Sequence, residues 1–69
     1  MNDLDARMCA AHEAGDGAAL ITLFTEAALI AASDTARGFY LTHAFVHALE
    51  AGDARANDLR AELHAMGRI

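Results

Sequence analysis

The sequence predicts an all-α protein of four helices, arranged as two tandem antiparallel helical hairpins. Proline is absent, and alanine, leucine, glutamate and arginine are abundant, which favours helix throughout. Apolar residues recur at helical spacing, whereas no alternating run of β-branched residues bounded by turns predicts a strand. A six-residue pattern also occurs twice, as AHEAGD at residues 11–16 and ALEAGD at residues 48–53, and each copy closes one helix and opens the next.

The first helix is expected over residues 3–14, with Asn2 as its N-cap. Its apolar stripe consists of Leu4, Met8 and Ala11. Gly15 then takes the left-handed stop position, and Asp16 caps the second helix. So short a connection makes the first two helices antiparallel, giving a first hairpin over about residues 3–32.

The second helix, over about residues 17–32, is the segment around which we expect the rest to pack. Its polar stripe, formed by Thr22, Thr25 and Glu26, is narrow. Most of its circumference is apolar: Leu20, Ile21, Leu23, Phe24, Ala27, Ala28, Ile30 and Ala31. A helix that is apolar on most sides must be covered on most sides. The polar residues interrupt the run, so a membrane span, which needs about 20 mostly apolar residues, is not expected.

The third helix is expected over about residues 35–51, capped by Ser33 or Asp34. Its core face has the spacing i, i+3, i+4, i+7, i+8 and consists of Leu41, Ala44, Phe45, Ala48 and Leu49. The pair Gly52-Asp53 repeats the arrangement of Gly15 and Asp16, with a glycine that ends one helix and an aspartate that caps the next. These features open a second hairpin over about residues 35–66.

The fourth helix is expected over about residues 54–66, ended by Gly67. Its apolar side carries Ala56, Leu59, Leu63 and Met66, and Arg55, Asp58 and Glu62 are expected to face water. Residues 1–69 are therefore interpreted as a single helical domain.

The second half of the chain resembles a tetratricopeptide-type repeat. The similarity lies in small and aromatic residues on the first helix of the pair, the Gly52-Asp53 turn, and the apolar side of the second helix: Leu41, Ala44, Phe45, Ala48, Ala56, Leu59 and Leu63. The first half resembles the family more loosely, and both copies lack its closing proline. The resemblance implies a protein-binding scaffold with no chemistry of its own.

Charge and cysteine content restrict the possible partners and compartment. The net charge is −5, and the five basic residues, all Arg, are scattered along the chain. Nucleic acids and anionic membranes require a basic patch, so neither is expected as a partner, and a helix-turn-helix DNA binder is disfavoured. The acidic start is unlike a signal peptide, and Cys9 is the only cysteine, which favours a reduced, cytoplasmic protein. We expect Cys9 to be a small hydrophobe inside the first hairpin.

The candidate interaction surface lies on the third helix and consists of Phe39, Tyr40, His43, Val46, His47 and Glu50. Phe39 and Val46 are i, i+7 and lie away from the core face. Either the apolar face of this helix is wide, or part of it is left open for another protein.

A metal site is the alternative for the same helix. His43, His47 and Glu50 project within about 60° of one another, and two histidines with a carboxylate can hold Zn²⁺ or a non-haem metal. The motif is not HExxH, because residue 44 is Ala. Further ligands would have to come from His12 or His64 of a neighbour.

The sequence therefore favours a small non-catalytic domain for protein–protein interaction or structure, without a cofactor and with the metal-binding protein as the alternative. Its apolar residues exceed what four short helices can cover, and a chain this small is marginal as a monomer. A homodimer is the expected state.

Overall fold

The computed structural model describes residues 3–69, which form four α-helices: α1 (Asp3–Ala14), α2 (Gly17–Leu29), α3 (Asp34–Ala51) and α4 (Arg55–Ala65). The structure is 81% helical, and no strand occurs within residues 3–69, so the predicted all-α class is confirmed. The bounds of α1, α3 and α4 agree with the sequence to within one residue. Asn2, the expected cap of α1, lies outside the described residues.

The end of α2 differs from the prediction, because the helix stops at Leu29 and does not continue to Ala32. Ile30 is its C-cap, with φ −98° and ψ 3°, and donates its backbone N–H to Glu26 O. Leu29 and Ile30 are 77% and 69% exposed. The apolar character of the segment continues past the helix, but the chain must turn here to reach Ser33, which caps α3. The last two large apolar side chains of the segment, those of Leu29 and Ile30, are therefore uncovered.

Each helix packs against its neighbour in sequence: α1 against α2, α2 against α3, and α3 against α4. The α2–α3 contact is the most extensive, so α2 and α3 share the centre, whereas the sequence favoured α2 alone. The Cα positions span 31 × 29 × 11 Å. Two stacked helix layers need about 8–10 Å between axes plus about 4.6 Å of Cα width, so the helices form a thin slab with two broad sides.

The core consists of two apolar clusters that meet at Phe24 and Tyr40. One joins α2, α3 and α4 through Ile21, Ala28, Leu41, Ala44, Ala48, Leu59 and Leu63. The other joins α1 and α2 through Leu4, Ala11, Leu20, Leu23 and Ala27. The expected burial of α2 is correct for its middle and wrong for its end.

Leu49, which the helical spacing assigns to the core face of α3, is 57% exposed, so this assignment is wrong. It follows Ala48, which is fully buried, and successive helical residues point about 100° apart. The buried face of α3 is narrower than the apolar spacing suggested.

The polar stripe of α2 makes contacts with two other helices. Glu26 accepts a hydrogen bond from Arg7 Nη2 of α1 at 3.0 Å. Thr22 Oγ1 accepts one from Arg55 Nη1 of α4 at 2.8 Å, and Arg55 Nη2 donates to Ala18 O at 3.3 Å. The expectation that Arg55 faces water is correct only in part, since its side chain is 41% exposed while its guanidinium joins α4 to α2.

The C-terminal residues fold back over the start of α3. Gly38 is buried, and a Cβ built on it would lie 2.8 Å from Arg68 Nε. Arg68 Nη2 donates to Asp34 O at 3.2 Å. The absence of a side chain at Gly38 lets the Arg68 side chain cross α3 and bond to its first turn.

Candidate interaction surface

Helix α3 has a buried side and an open side. Leu41, Ala44 and Ala48, on the inner side, are 2%, 0% and 0% exposed. On the opposite side Phe39 is 59% exposed and Val46 is 46% exposed. Of the two alternatives for these side chains, the exposures agree with the open face. We call this side the α3 outer face, defined by Phe39, Tyr40, His43, Val46, His47 and Glu50; Tyr40 and His47 are partly buried at its edge, and Tyr40 also packs against the core.

Local hydrogen bonds fix the two ends of the helix that carries this face. Ser33 Oγ accepts from Ala36 N at 3.1 Å, which caps the first turn. Gly52, with φ 65°, ends the helix in the left-handed conformation. Thr42 Oγ1 donates to Gly38 O at 2.7 Å and so uses no outside partner. The helix is thus defined at both ends by residues outside the α3 outer face.

Phe24 of α2 supports the α3 outer face from below. Its ring is nearly parallel to the His43 ring, at 5.1 Å and 19° between planes, and to the His47 ring, at 5.6 Å and 12°. Phe39 meets His43 edge-on at 4.5 Å and 61°, and Tyr40 at 5.6 Å and 74°. Such offset and edge-on pairs stabilise ring positions by about 0.5–1.5 kcal/mol each. The two histidine rings are therefore held in place by aromatic packing.

Phe24 is the residue that sequence reasoning missed. Helical spacing assigns Phe24 to the core side chains of α2, yet Phe24 is only partly buried and contacts the two histidines of the α3 outer face. Its helical position lies beside the buried Leu20 and Ile21, so periodicity alone gave no signal for this role.

The geometry gives the metal alternative no closed set of ligands. His47 Nδ1 lies 3.6 Å from Glu50 Oε1, whereas the His43 ring is packed between Phe24 and Phe39. Within residues 3–69, no group of three or more His, Cys, Asp or Glu side chains is placed to hold a metal ion. The metal-binding hypothesis stays a prediction.

Two shallow concavities border the helices of the centre. One, of about 410 Å³, is lined by His12, His47 and Glu50 together with Gly15, Gly17, Leu20 and Ala51. The other, of about 380 Å³, lies between α2, α3 and α4 and contains Arg37 and Glu62 among apolar side chains. The first is continuous with the α3 outer face, since it shares His47 and Glu50 with it.

Charge is almost absent from the α3 outer face. Residues 38–49 contain no Asp, Glu, Lys or Arg, although the chain as a whole carries ten acidic residues and a net charge of −5. Glu50, whose side chain is 70% exposed, is the one carboxylate of the face. A partner would meet an apolar, aromatic and histidine surface with a single acidic end.

Cys9 lies elsewhere, and its expected interior position is wrong because it is exposed. The α1 stripe turned toward α2 includes Met8, and the next residue points about 100° away from it. The small size and polarisability of a thiol did not decide its burial here.

Comparison of the chain with known protein families, with curated proteins and with solved structures found no match. Within the part of the chain that the structure describes, none of the helices is long and apolar enough to cross a lipid bilayer.

Proposed function

We propose that this chain is a small protein–protein interaction or structural domain that works through the α3 outer face and has no catalytic activity of its own. The observation that carries the proposal is the exposure of Phe39 and Val46 on a helix whose other side is fully buried. Exposed apolar side chains grouped on one helix face are typical of a binding surface. A reducing, cytoplasmic setting is part of the proposal and rests on the single cysteine.

The proposed arrangement is two tandem antiparallel hairpins of tetratricopeptide-like design. In its support, the two Gly-Asp turns end α1 and α3 with the same backbone hydrogen bonds. The links are also short: residues 15–16 join α1 to α2, and residues 52–54 join α3 to α4. Connections of this length favour antiparallel neighbours.

The described interior is apolar, and the available contact area lies on the surface of α3. Within residues 3–69, the buried residues are Gly38 and residues with apolar side chains, and no polar or charged side chain is buried. The side chains of the α3 outer face offer contact area.

The proposed partner is a second copy of the chain, in a homodimer. Beyond Phe39 and Val46, the exposed large apolar side chains are Leu29, Ile30, Leu49 and Ile69. A 69-residue domain covers a smaller fraction of its apolar surface than a larger domain does, so association gives it additional burial.

Size-exclusion chromatography with light scattering tests the proposal. We expect a dimer in the wild type, and we expect Val46→Glu to raise the dissociation constant by at least about tenfold, which corresponds to about 1.4 kcal/mol. Ile69→Glu is the matched control, because Ile69 is 57% exposed but lies outside the α3 outer face. A wild-type protein that stays monomeric at micromolar concentration and binds no dye for exposed apolar surface would count strongly against the proposal.

A further inference from the structure

The open side of α3 has the spacing of a coiled-coil seam. Its residues follow one another at intervals of three, four, three and four: Ala36, Phe39, His43, Val46 and Glu50. This 3.5-residue period keeps one line of side chains facing a partner helix, and three of the five side chains, those of Ala36, Phe39 and Val46, are apolar. The buried Leu41 and Ala48 lie on the opposite side of the helix. We propose that α3 pairs with α3 of a second copy in an antiparallel, two-fold symmetric contact, an inference that rests on the homodimer proposed above.

Charge is the first argument for a second copy as the occupant. Each copy carries −5, so two copies repel unless they meet where carboxylates are scarce. Residues 38–49 are such a region, since they contain no charged residue when the histidines are neutral. A like-charged partner is therefore tolerated best on this face.

Charge also selects the antiparallel direction. In a parallel pair, the two Glu50 side chains would lie side by side in one layer of the seam, and like charges in contact destabilise. In an antiparallel pair centred between His43 and Val46, the two Glu50 positions lie about 16.5 Å apart along the axis, at 1.5 Å per residue. The helix dipoles also oppose one another in this arrangement.

The same register covers the exposed apolar side chains. His43 faces Val46 of the second copy, and Phe39 faces the aliphatic stem of Glu50. On the flanks, Tyr40 comes near His47 of the second copy. On the other flank, the exposed Leu49 comes near Thr42. Phe24 already holds the histidine rings in place, so less side-chain freedom is lost when the helices meet.

The size of the contact makes the dimer a weak one. With its 18 residues, α3 is about 27 Å long and about 11 Å wide, so the projected area is about 300 Å² per copy. Interfaces that bury less than about 1,200 Å² in total belong to weak and transient complexes. We expect monomer and dimer to exchange at micromolar concentration.

Cysteine crosslinking with a short bis-maleimide tests the direction and the register, in a Cys9→Ser background that removes the exposed native thiol. Val46→Cys should crosslink with itself, because the two positions lie about 4.5 Å apart along the axis. Phe39→Cys alone and Glu50→Cys alone should not, because each pair is about 16.5 Å apart. A mixture of the last two variants should crosslink, since residue 39 of one copy faces residue 50 of the other.

The outcomes separate this inference from the homodimer itself. Crosslinking of Phe39→Cys alone together with Val46→Cys indicates a parallel pair and overturns the inference while the homodimer stands. A dimer by light scattering with no crosslink in Val46→Cys or in the mixture places the contact on another surface and also overturns the inference. A protein that stays monomeric throughout the micromolar concentration range overturns both proposals. Light scattering of every variant before crosslinking shows which case applies.

Discussion

The two Gly-Asp turns have nearly the same sequence and end their helices identically. Gly15 N donates to His12 O at 3.1 Å, and Gly52 N donates to Leu49 O at 3.2 Å. The following Asp N–H groups reach back to Ala11 O and to Ala48 O, both at 2.9 Å. These are the two bonds of a Schellman motif, with glycine at the left-handed position. The repeated pattern is therefore a repeated way of ending a helix.

The two helices that follow these turns, α2 and α4, begin in different ways. Asp16 Oδ1 accepts from Ala19 N at 3.1 Å and is the N-cap of α2. Asp53 Oδ1 accepts from Arg55 N at 2.9 Å and from Arg55 Nε at 3.0 Å, and the N-cap position of α4, Ala54, has no side-chain bond. The backbone conformation at glycine is therefore decided locally, whereas the hydrogen bonds of the following carboxylate depend on the residues around it.

Substitution of the two left-handed glycines should cause the greatest loss of stability. Gly15→Ala and Gly52→Ala should each lower the free energy of unfolding by about 1–2 kcal/mol, because an L-residue is strained at positive φ. The two losses should be similar, since an added Cβ would meet no atom within 4 Å at either site. Urea unfolding measures both.

Gly17→Ala is the matched control for these substitutions. Its added Cβ would be in ordinary contact with Ala51 at 4.0 Å, and no positive φ occurs there. We expect it to stabilise α2 by about 0.5–1 kcal/mol. Clearly unequal losses at Gly15 and Gly52 would show that the two helix ends are not equivalent.

Substitution of Asp16 and Asp53 should distinguish a carboxylate that caps a helix from one that binds an arginine. Asp16→Ala should cost about 1 kcal/mol, the usual loss on removing an N-cap, and Asp16→Asn should restore most of it. At Asp53 the amide cannot replace the paired carboxylate, so Asp53→Asn should remain destabilised. Urea unfolding of the four Ala and Asn variants checks this; full rescue by Asn at both sites would show that the two starts are equivalent.

A smaller loss of stability is expected when the contacts of Arg55 with Asp53 and Thr22 are weakened. Arg55→Lys keeps the charge but loses the fork that binds both Asp53 oxygens and Thr22. We expect a loss of about 0.5–1 kcal/mol in unfolding free energy. Arg60→Lys, in the same helix and exposed, is the control and should change little.

The smallest effect is a dependence on acidic pH. The side-chain hydrogen bond from Arg55 lowers the pKa of Asp53 to about 2 from the usual 3.8, with a further contribution from the Arg55 backbone N–H. The folded-state pKa is depressed, so the stabilisation is present above pH 3.8 and is lost as the pH falls toward 2. The difference in urea midpoint between wild type and Asp53→Asn should shrink over that interval. A difference that stays constant from pH 5 to about 2 would contradict the assignment.

Much of the fold could be predicted from local pattern, and the candidate site only in part. The stops at Gly15, Gly52 and Gly67 were predictable because each rests on a single residue's backbone freedom, and all three have positive φ. The open side of α3 was one of two alternatives, since the spacing of Phe39 and Val46 shows that they leave the core face but not whether another helix covers them. The support by Phe24 was not predictable, because it depends on where α2 lies against α3.

The number of helices, most of their limits and the all-α class follow from the amino-acid sequence alone. Helical periodicity, caps and glycine stops act within a few residues, so a linear reading contains them. The exposure of Leu29, Ile30 and Leu49 follows only from the packing of the helices. The same holds for the link that Arg55 makes between α4 and α2, and for the packing of Phe24 against two histidines. These outcomes depend on how helices distant in sequence are placed, and a thin slab of four helices leaves uncovered many side chains that periodicity assigns to a core.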